Sequence, residues 1–410
     1  MLVLCQRFPF NMSETTANVQ PSQIYGTKEH PYSTLPETKE NVNWADLVSL
    51  DLSTFDQPGG KEALAKQLND AVHNVGFFYI VNFGFAQEEV DNQFALGKQV
   101  FDLPFEEKAK FAADHANGGY NGYTGPELPH FKNQAGANGF QRRSNVEVYN
   151  IPKFTEQFKD WHKNHPQPIR DNWDSVVDFG KRIHTQIIEK LLVIFAIVLE
   201  LEDQEYFVKR HRYDQNSEDH LRYMKYKARS SEENAKANGL YSGGHTDLGS
   251  VTLLFRQPVA ALQVLGGDNE WQWVKPLPGS ITVNIADTLQ ILSGEYLKSS
   301  VHRVVSPPPD QASFDRLGVL YFVRPNNDVL VEVVEKSPVL SAEGVYDRVA
   351  QQGEKETPIT VKTWVAERQK HIFSRNQQER YQQTISSGNT AKGGVNFQTD
   401  VAGIKVKYWT

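Results

Sequence analysis

The residues best suited to chemistry in this chain are His245 and Asp247, in Gly244-His245-Thr246-Asp247-Leu248-Gly249, and His302, in Val301-His302-Arg303-Val304. Side chains on a β-strand alternate between faces, so His245 and Asp247 on one strand would share a face and could reach a single ion. A neighbouring strand would bring in His302 from the side. Two imidazoles and one carboxylate on one side of a metal leave the opposite positions open. That donor set suits mononuclear iron(II) and also catalytic zinc. By itself His-x-Asp is a weak motif in a chain with 12 histidines, and the same residues could cap a turn, with Asp247 accepting from nearby amides. Context sharpens the metal reading. Ser242-Gly243-Gly244 would let backbone approach a ligand closely, and a strand pattern follows to Phe255.

These residues need a frame, and the patterns around them supply one. From Leu221 to Val334 short apolar stretches follow one another: Leu221 to Ala228, Val251 to Phe255, Leu262 to Leu265, Trp271 to Val274, Ser280 to Ile285, His302 to Val304, Leu317 to Val323 and Val329 to Val334. Separated by Gly, Pro, Asn and Asp turns, they predict an antiparallel sandwich or barrel. Upstream, Val48 to Leu52 reads as a strand, Lys61 to Val75 as a helix, Gly76 to Asn82 as a buried strand and Gln87 to Leu103 as a second helix stopped by Pro104. Residues 171–201 carry apolar side chains three or four apart, the stripe of a long buried scaffold helix, with His184 on it as a hydrogen-bonded core histidine. Residues 359–381 predict a closing helix.

Residues 116–143 interleave glycines with Tyr120, Tyr123, Phe131 and Phe140. Such a loop is a pocket wall or a mobile Gly-rich insertion. Arg142 and Arg143 within it would meet an acidic substrate or form an exposed basic pair. The expected division is a disordered tail over 1–42, an α/β region over 43–150, a helical scaffold over 151–217, a catalytic core over 218–336, a helical lid over 337–385 and a tail over 386–410.

Composition narrows the function class. The net charge of -7 gives no reason to expect nucleic acid or an acidic membrane as partner, and the longest apolar run is too short for a bilayer. Cys5 is the sole cysteine, which excludes an intramolecular disulfide and a thiolate metal site and fits a reducing, cytoplasmic setting. The first ten residues lack the form of a secretory signal, and Met12 is an alternative start.

Over residues 44–375 the chain resembles the Fe(II)- and 2-oxoglutarate-dependent dioxygenases of the isopenicillin N synthase-like group. The likeness is carried by Gly76-Phe77-Phe78-Tyr79-Ile80-Val81-Asn82-Phe83-Gly84, by Phe101-Asp102-Leu103-Pro104, by His245 through Leu254, by Leu262-Gln263-Val264, by Val283 through Thr288, and by Lys298 through Val304. The resemblance implies a mainly β fold with flanking helices: a double-stranded β-helix core of the jelly-roll or cupin-like type, an N-terminal α/β extension and a long scaffold helix. It implies His245, Asp247 and His302 as iron ligands, with Fe(II), 2-oxoglutarate and dioxygen as cofactor and co-substrates. An Arg-x-Ser of the family, which binds the far carboxylate of 2-oxoglutarate, matches Arg316-Leu317-Gly318, preferred here to Arg324 or Arg303. The arginine is kept and the serine hydroxyl is not. Tyr226 matches the tyrosine that touches the co-substrate, or is an inward-facing barrel aromatic.

The implied reaction couples decarboxylation of 2-oxoglutarate to oxidation of a small organic molecule in specialised metabolism. Hydroxylation is the default, with desaturation and ring formation as variants. Tyr123, Phe131 and Phe322 are the candidate substrate contacts, and the substrate expected is aromatic or terpenoid-like. Three alternatives stay open: an iron oxidase of the same fold that dispenses with 2-oxoglutarate, a zinc hydrolase, and a binding protein that has kept the fold without the activity.

Overall fold

The computed structural model describes residues 24–115, 118–128, 145–351, 359–373, 397–401 and 404–408. The strands are β1 Ser49–Asp51, β2 Phe77–Val81, β3 Gly122–Thr124, β4 Val146–Pro152, β5 His220–Tyr226, β6 Leu240–His245, β7 Val251–Phe255, β8 Leu262–Leu265, β9 Trp271–Trp273, β10 Ser280–Ile285, β11 His302–Val305 and β12 Arg316–Val323, with a separate hairpin β13 Phe397–Val401 and β14 Ile404–Tyr408. Two sheets form the core. One runs β1-β2-β10-β7-β12-β5-β4-β3 and the other β6-β11-β8-β9. Apart from the parallel β1–β2 edge, every neighbouring pair in them is antiparallel. The antiparallel pairing is what the strand spacing predicts, and the mainly β architecture with flanking helices is the one the resemblance implies.

Period-two alternation decides what each face of the large sheet holds. On β12, Leu317, Val319, Tyr321 and Val323 join the main hydrophobic core with Leu253, Phe255, Ile281, Val283, Phe78 and Ile80 of the strands beside it. That face is covered by helix α1 (Gly60–Asn74), helix α2 (Gln87–Asp102) and the rod α3 (Trp173–Arg182) and α4 (Glu189–Val198). A π-helical stretch, Ile183–Ile188, joins α3 to α4. It shifts the buried stripe from the straight 3.6-residue reading, so that Ile183 and His184, then Ile187 and Ile188, all face inward. His184 is a core histidine, with Nε2 2.7 Å from the His211 carbonyl and Nδ1 3.5 Å from Asp219 Oδ2.

The opposite, inner face is different. Arg316, Gly318, Leu320 and Phe322 point there, and their partners across the ladder are Tyr226, Met224, Arg222 and His220. It faces the small sheet and carries the polar and aromatic groups of the site.

Several expectations are corrected. Val329 to Val334 is not a sheet strand: it meets the C-terminal segment through an isolated Leu330–Thr360 bridge, and Val331 packs with Val361, Trp364 and Val365 in a satellite core. Residues 24–42 are not a loose tail, because two anchors hold them. Tyr32 and Leu35 are buried in the main core, and the Tyr32 hydroxyl accepts from the Leu317 backbone N–H at 3.0 Å. A polar window average hides two such side chains. Residues 118–128 of the aromatic loop include the edge strand β3, whereas Phe131, Phe140, Arg142 and Arg143 lie outside the described residues, as does the end of the closing helix beyond Phe373. Among the described residues no helix is long and apolar enough to cross a membrane.

Candidate metal centre

His245 and His302 face each other across the β6–β11 pair, in register, with ring centroids 4.4 Å apart. The predicted neighbouring strand is therefore β11. Asp247 reaches the same point by another route than alternation along one strand. β6 ends at His245, and Asp247 stands in the turn that carries the chain to the large sheet. Its backbone carbonyl accepts from Asp287 N–H at 2.8 Å, at the start of helix α5 (Asp287–Leu292). Gly249 makes the turn possible, since a Cβ there would lie 2.2 Å from the Val323 carbonyl oxygen.

The donor atoms are oriented by hydrogen bonds behind them. Nδ1 of His245 lies 2.9 Å from the Gly243 carbonyl and Nδ1 of His302 lies 3.2 Å from the Ser300 carbonyl. A carbonyl only accepts, so each Nδ1 carries the proton and each Nε2 keeps its lone pair for a metal. Those Nε2 atoms stand 3.9 and 3.7 Å from Oδ1 of Asp247. The other carboxylate oxygen, Oδ2, accepts from Thr252 Oγ1 at 2.6 Å and from Asn284 Nδ2 at 2.9 Å. Asp247 thus offers one oxygen and is held by the second. Burial alone would raise its pKa, but His302, His245 and the two hydrogen bonds prevail and lower it, so the carboxylate is ionised. Burial, then the neighbouring His245, pulls His302 down to about 4, which keeps it neutral and able to ligate. The His245 side chain is 45 % exposed and that of His302 9 %, so the open side of the triad lies towards His245. Two imidazole nitrogens and one ionised carboxylate oxygen on a single side fit a facial iron(II) site.

Arg316 opens β12 on the inner face, directly across from Tyr226. It is 4 % exposed, its Nε lies 3.4 Å from the Val259 carbonyl and its guanidinium carbon sits 5.8 Å from the Tyr226 ring centroid. Among the described residues it makes no ion pair. Burial, the largest influence, lowers its pKa, opposed by Tyr226 and Tyr32. Arg303 is elsewhere: it donates to Gln263 Oε1 and covers Trp271, at 4.0 Å from the ring centroid.

One residue at this end of the site was not legible in the sequence. Gln257, in the turn after β7, is 4 % exposed and donates from Nε2 to the Leu317 carbonyl at 2.7 Å. A Cβ on Gly318 would lie 2.5 Å from that same Nε2. The amide therefore fills the space that a serine at 318 would need, and Gln257 and Arg316 line one cavity with Val259, Ala261, Leu262 and Thr282.

Of the expected substrate contacts, Phe322 is on the inner face, opposite Thr252, whose hydroxyl holds Asp247. Tyr123 is not. Strand parity turns it to the helix-covered face, fully buried, where its hydroxyl donates to Glu147 Oε1 at 2.7 Å. The closing helix α6 (Val361–Phe373) does reach the centre: Arg368 Nη2 pairs with Asp287 Oδ2 at 2.8 Å, and Thr246 donates to that oxygen at 3.1 Å.

The chain is similar to known proteins in sequence and in fold. Residues 48–169 match the family described as non-haem dioxygenase in morphine synthesis N-terminal, and residues 206–325 match the 2OG-Fe(II) oxygenase superfamily. A UPF0676 protein of Schizosaccharomyces pombe is 31 % identical over 68 % of this chain and 82 % of its own length. The 2-oxoglutarate-dependent dioxygenase iboH of Amanita muscaria is 34 % identical over 44 % of this chain and 86 % of its own. In fold, the chain resembles a full-length Neurospora crassa protein solved in complex with alpha-KG, with TM-score 0.63, 24 % identity and coverage of 80 % of this chain and 99 % of that one. It likewise resembles JOX2 in complex with 2OG, Fe and JA, with TM-score 0.59, 23 % identity and coverage of 81 % and 93 %. With these matches, and with three residues that could hold a metal gathered at one point, the chain belongs to the 2OG-Fe(II) oxygenase superfamily and is an iron(II)- and 2-oxoglutarate-dependent dioxygenase.

Proposed function

We propose that His245, Asp247 and His302 hold the iron and that Arg316 receives the far carboxylate of 2-oxoglutarate, so that a small organic substrate is hydroxylated at the open side of the triad. The observation that carries the co-substrate assignment is the buried Arg316 guanidinium, which has no carboxylate partner among the described residues. An isolated buried charge is costly, and a planar donor fork matches a carboxylate. Iron bound at the triad supplies, with 2-oxoglutarate and dioxygen, the oxidising power for attack on a C–H bond, releasing succinate and carbon dioxide.

The protein's own residues position the reactants. Tyr226, beside Arg316, closes the co-substrate end, and its hydroxyl stays protonated because burial, above all, raises its pKa. Gln257 takes over from the serine that Gly318 lacks: one Nε2 hydrogen is held by the Leu317 carbonyl and the other donates to the carboxylate on Arg316. Thr252 and Asn284 hold one carboxylate oxygen of Asp247, so that the other would serve as its single donor to the iron. Phe322 forms part of the substrate floor. The partner is thus a small molecule.

Anaerobic titration of the apoprotein with Fe(II) and then 2-oxoglutarate tests this reading through the weak visible charge-transfer band of the chelate. The expected result is a band in the wild type and a markedly higher 2-oxoglutarate requirement in Arg316→Met. Iron bound without a band would refute the co-substrate assignment. Turnover without added 2-oxoglutarate would favour the oxidase alternative.

A further inference from the structure

β12 leads from one buried arginine to another. Arg324, the residue after its end, is 4 % exposed, and among the described residues its Nε and Nη1 have no hydrogen-bond partner. Its backbone, in contrast, is pinned, with its N–H donating to Asp219 Oδ1 at 2.7 Å. The fold therefore fixes where this guanidinium stands and leaves the charge unanswered.

A second cation shares the place. Arg222 lies on the inner face of β5, opposite Leu320. Its partners are neutral: Nε donates to Asn150 Oδ1 at 2.7 Å and Nη2 to the Tyr120 hydroxyl. The guanidinium carbons of Arg222 and Arg324 stand 5.3 and 5.5 Å from the Tyr120 ring centroid. His220 fills the floor, stacked on Phe322 with centroids 4.7 Å apart and planes 7° from parallel. Its pKa is pushed well below the ordinary value, first by burial and then by Arg222 and Arg324, so it adds no charge and supplies no counter-charge. Neither arginine forms an ion pair among the described residues. Residues 129–144, which lead into β4, contain Lys132, Arg142 and Arg143 and no Asp or Glu.

The cluster borders the metal centre. Phe322 pairs with Thr252, whose hydroxyl holds Asp247 at 2.6 Å. A Cβ on Gly249, two residues after Asp247, would lie 3.2 Å from Arg324 Cγ. An anion held by Arg324 would therefore place its attached carbon skeleton along the His220–Phe322 stack, beside the triad and at the opposite end of β12 from Arg316.

We propose that Arg324, with Arg222, binds a carboxylate of the organic substrate, and that the substrate class is a small monocarboxylic acid with a planar or apolar body. This rests on the reading of the triad as the reaction centre. Two planar donor forks and a neutral imidazole match one carboxylate, and the aromatic stack matches an uncharged flat body.

Two measurements on the full chain test it. The first needs no ligand: replacing an unpaired buried charge by an apolar chain of similar length relieves its desolvation. Thermal unfolding of Arg324→Met without ligand is expected at or above the wild-type temperature, and a clear fall would make Arg324 a structural residue and overturn the proposal. The second uses phenylacetate, 3-phenylpropanoate, their methyl esters and amides, and sulfate as probes, added anaerobically to the Fe(II)- and 2-oxoglutarate-loaded protein and read by perturbation of the charge-transfer band. The acids are expected to bind at least about tenfold more tightly than the esters and amides. Arg324→Met should weaken the acids by about 10- to 150-fold, the range for one hydrogen bond to a charged group. Equal binding of acid and ester, no binding of either acid, or sulfate as the only ligand would overturn the proposal. Loss of 2-oxoglutarate binding in Arg324→Met would assign that arginine to the co-substrate instead. Failure of the wild type to form the band at all would refute the reaction-centre reading. The acid-versus-ester comparison, repeated as thermal stabilisation of the apoprotein, would then judge the anion site separately.

Discussion

Exchange of Gln257 and Gly318 probes the proposed co-substrate pocket most directly. Gln257→Ala removes the amide that stands where a serine at 318 would be, together with its bond to the Leu317 carbonyl. A hydrogen bond to a charged group contributes about 1.5–3 kcal/mol, so 2-oxoglutarate should bind about 10- to 150-fold more weakly. Gly318→Ser in the otherwise native chain should also weaken it, because the new Cβ would stand 2.5 Å from Gln257 Nε2 and one group must yield. The double variant differs in kind. With the amide gone the serine has room, its hydroxyl can donate in place of the amide, and affinity should return to within about threefold of wild type. That is a coupling of about 1.5 kcal/mol or more between contacting sites, of the size expected for a shared interaction. Anaerobic titration of the charge-transfer band gives the dissociation constants, and urea unfolding of each variant separates binding from stability. A Gln257→Ala protein that binds 2-oxoglutarate like the wild type, or a double variant as weak as the two singles combined, would refute the reasoning.

Other expectations follow from the same geometry. Thr252→Val keeps the shape but removes the 2.6 Å bond to Asp247 Oδ2. Iron affinity, measured by anaerobic competition with a chelator, should fall about 10- to 100-fold, and an unchanged value would mean that Asn284 alone orients the carboxylate. Tyr32→Phe strands the Leu317 N–H in the core and should lower unfolding free energy by about 1–3 kcal/mol; no loss would show that Tyr32 anchors only by packing. Burial holds His165 and His211 at about 4 in the fold. Unfolding lets them return to about 6.5, so their contribution is complete above that pH and is lost as pH falls towards 4. Each should cost about 1.4 kcal/mol of stability at pH 5.5. Urea unfolding of the apoprotein at pH 7.5 and 5.5 tests this against His211→Gln, which should shrink the difference between the two pH values by about 1.4 kcal/mol.

Much of this protein is readable as a one-dimensional pattern. The alternation in Val251 to Phe255, Ser280 to Ile285 and Leu317 to Val323 marks strands because the pleat itself has period two, and the apolar stripe of residues 171–201 marks a buried helical rod for the corresponding reason. His245, Asp247, His302 and Arg316 stand out by type and by resemblance, and the structure gathers the first three at one point. Other features belong to pairing between distant segments. Parity says that Tyr123 and Phe322 each choose a face, but only the β3–β4–β5–β12–β7 register turns Tyr123 into the helix-side core and Phe322 towards the triad. Asp247 reaches the site from a turn because α5 and β7 catch it there, not because it continues β6. Gln257 and Gly318 have no relation in sequence until two chain turns bring an amide into the space of a missing side chain. The lack, among the described residues, of a counter-charge at Arg316 and Arg324 is likewise invisible in a composition that contains 50 acidic residues. Local periodicity determines which sides of an element are apolar; what fills the space on those sides, and which charges go unanswered, is decided only when the sheets close over one another, because packing and Coulomb interactions act through space over a few ångströms and take no account of separation along the chain.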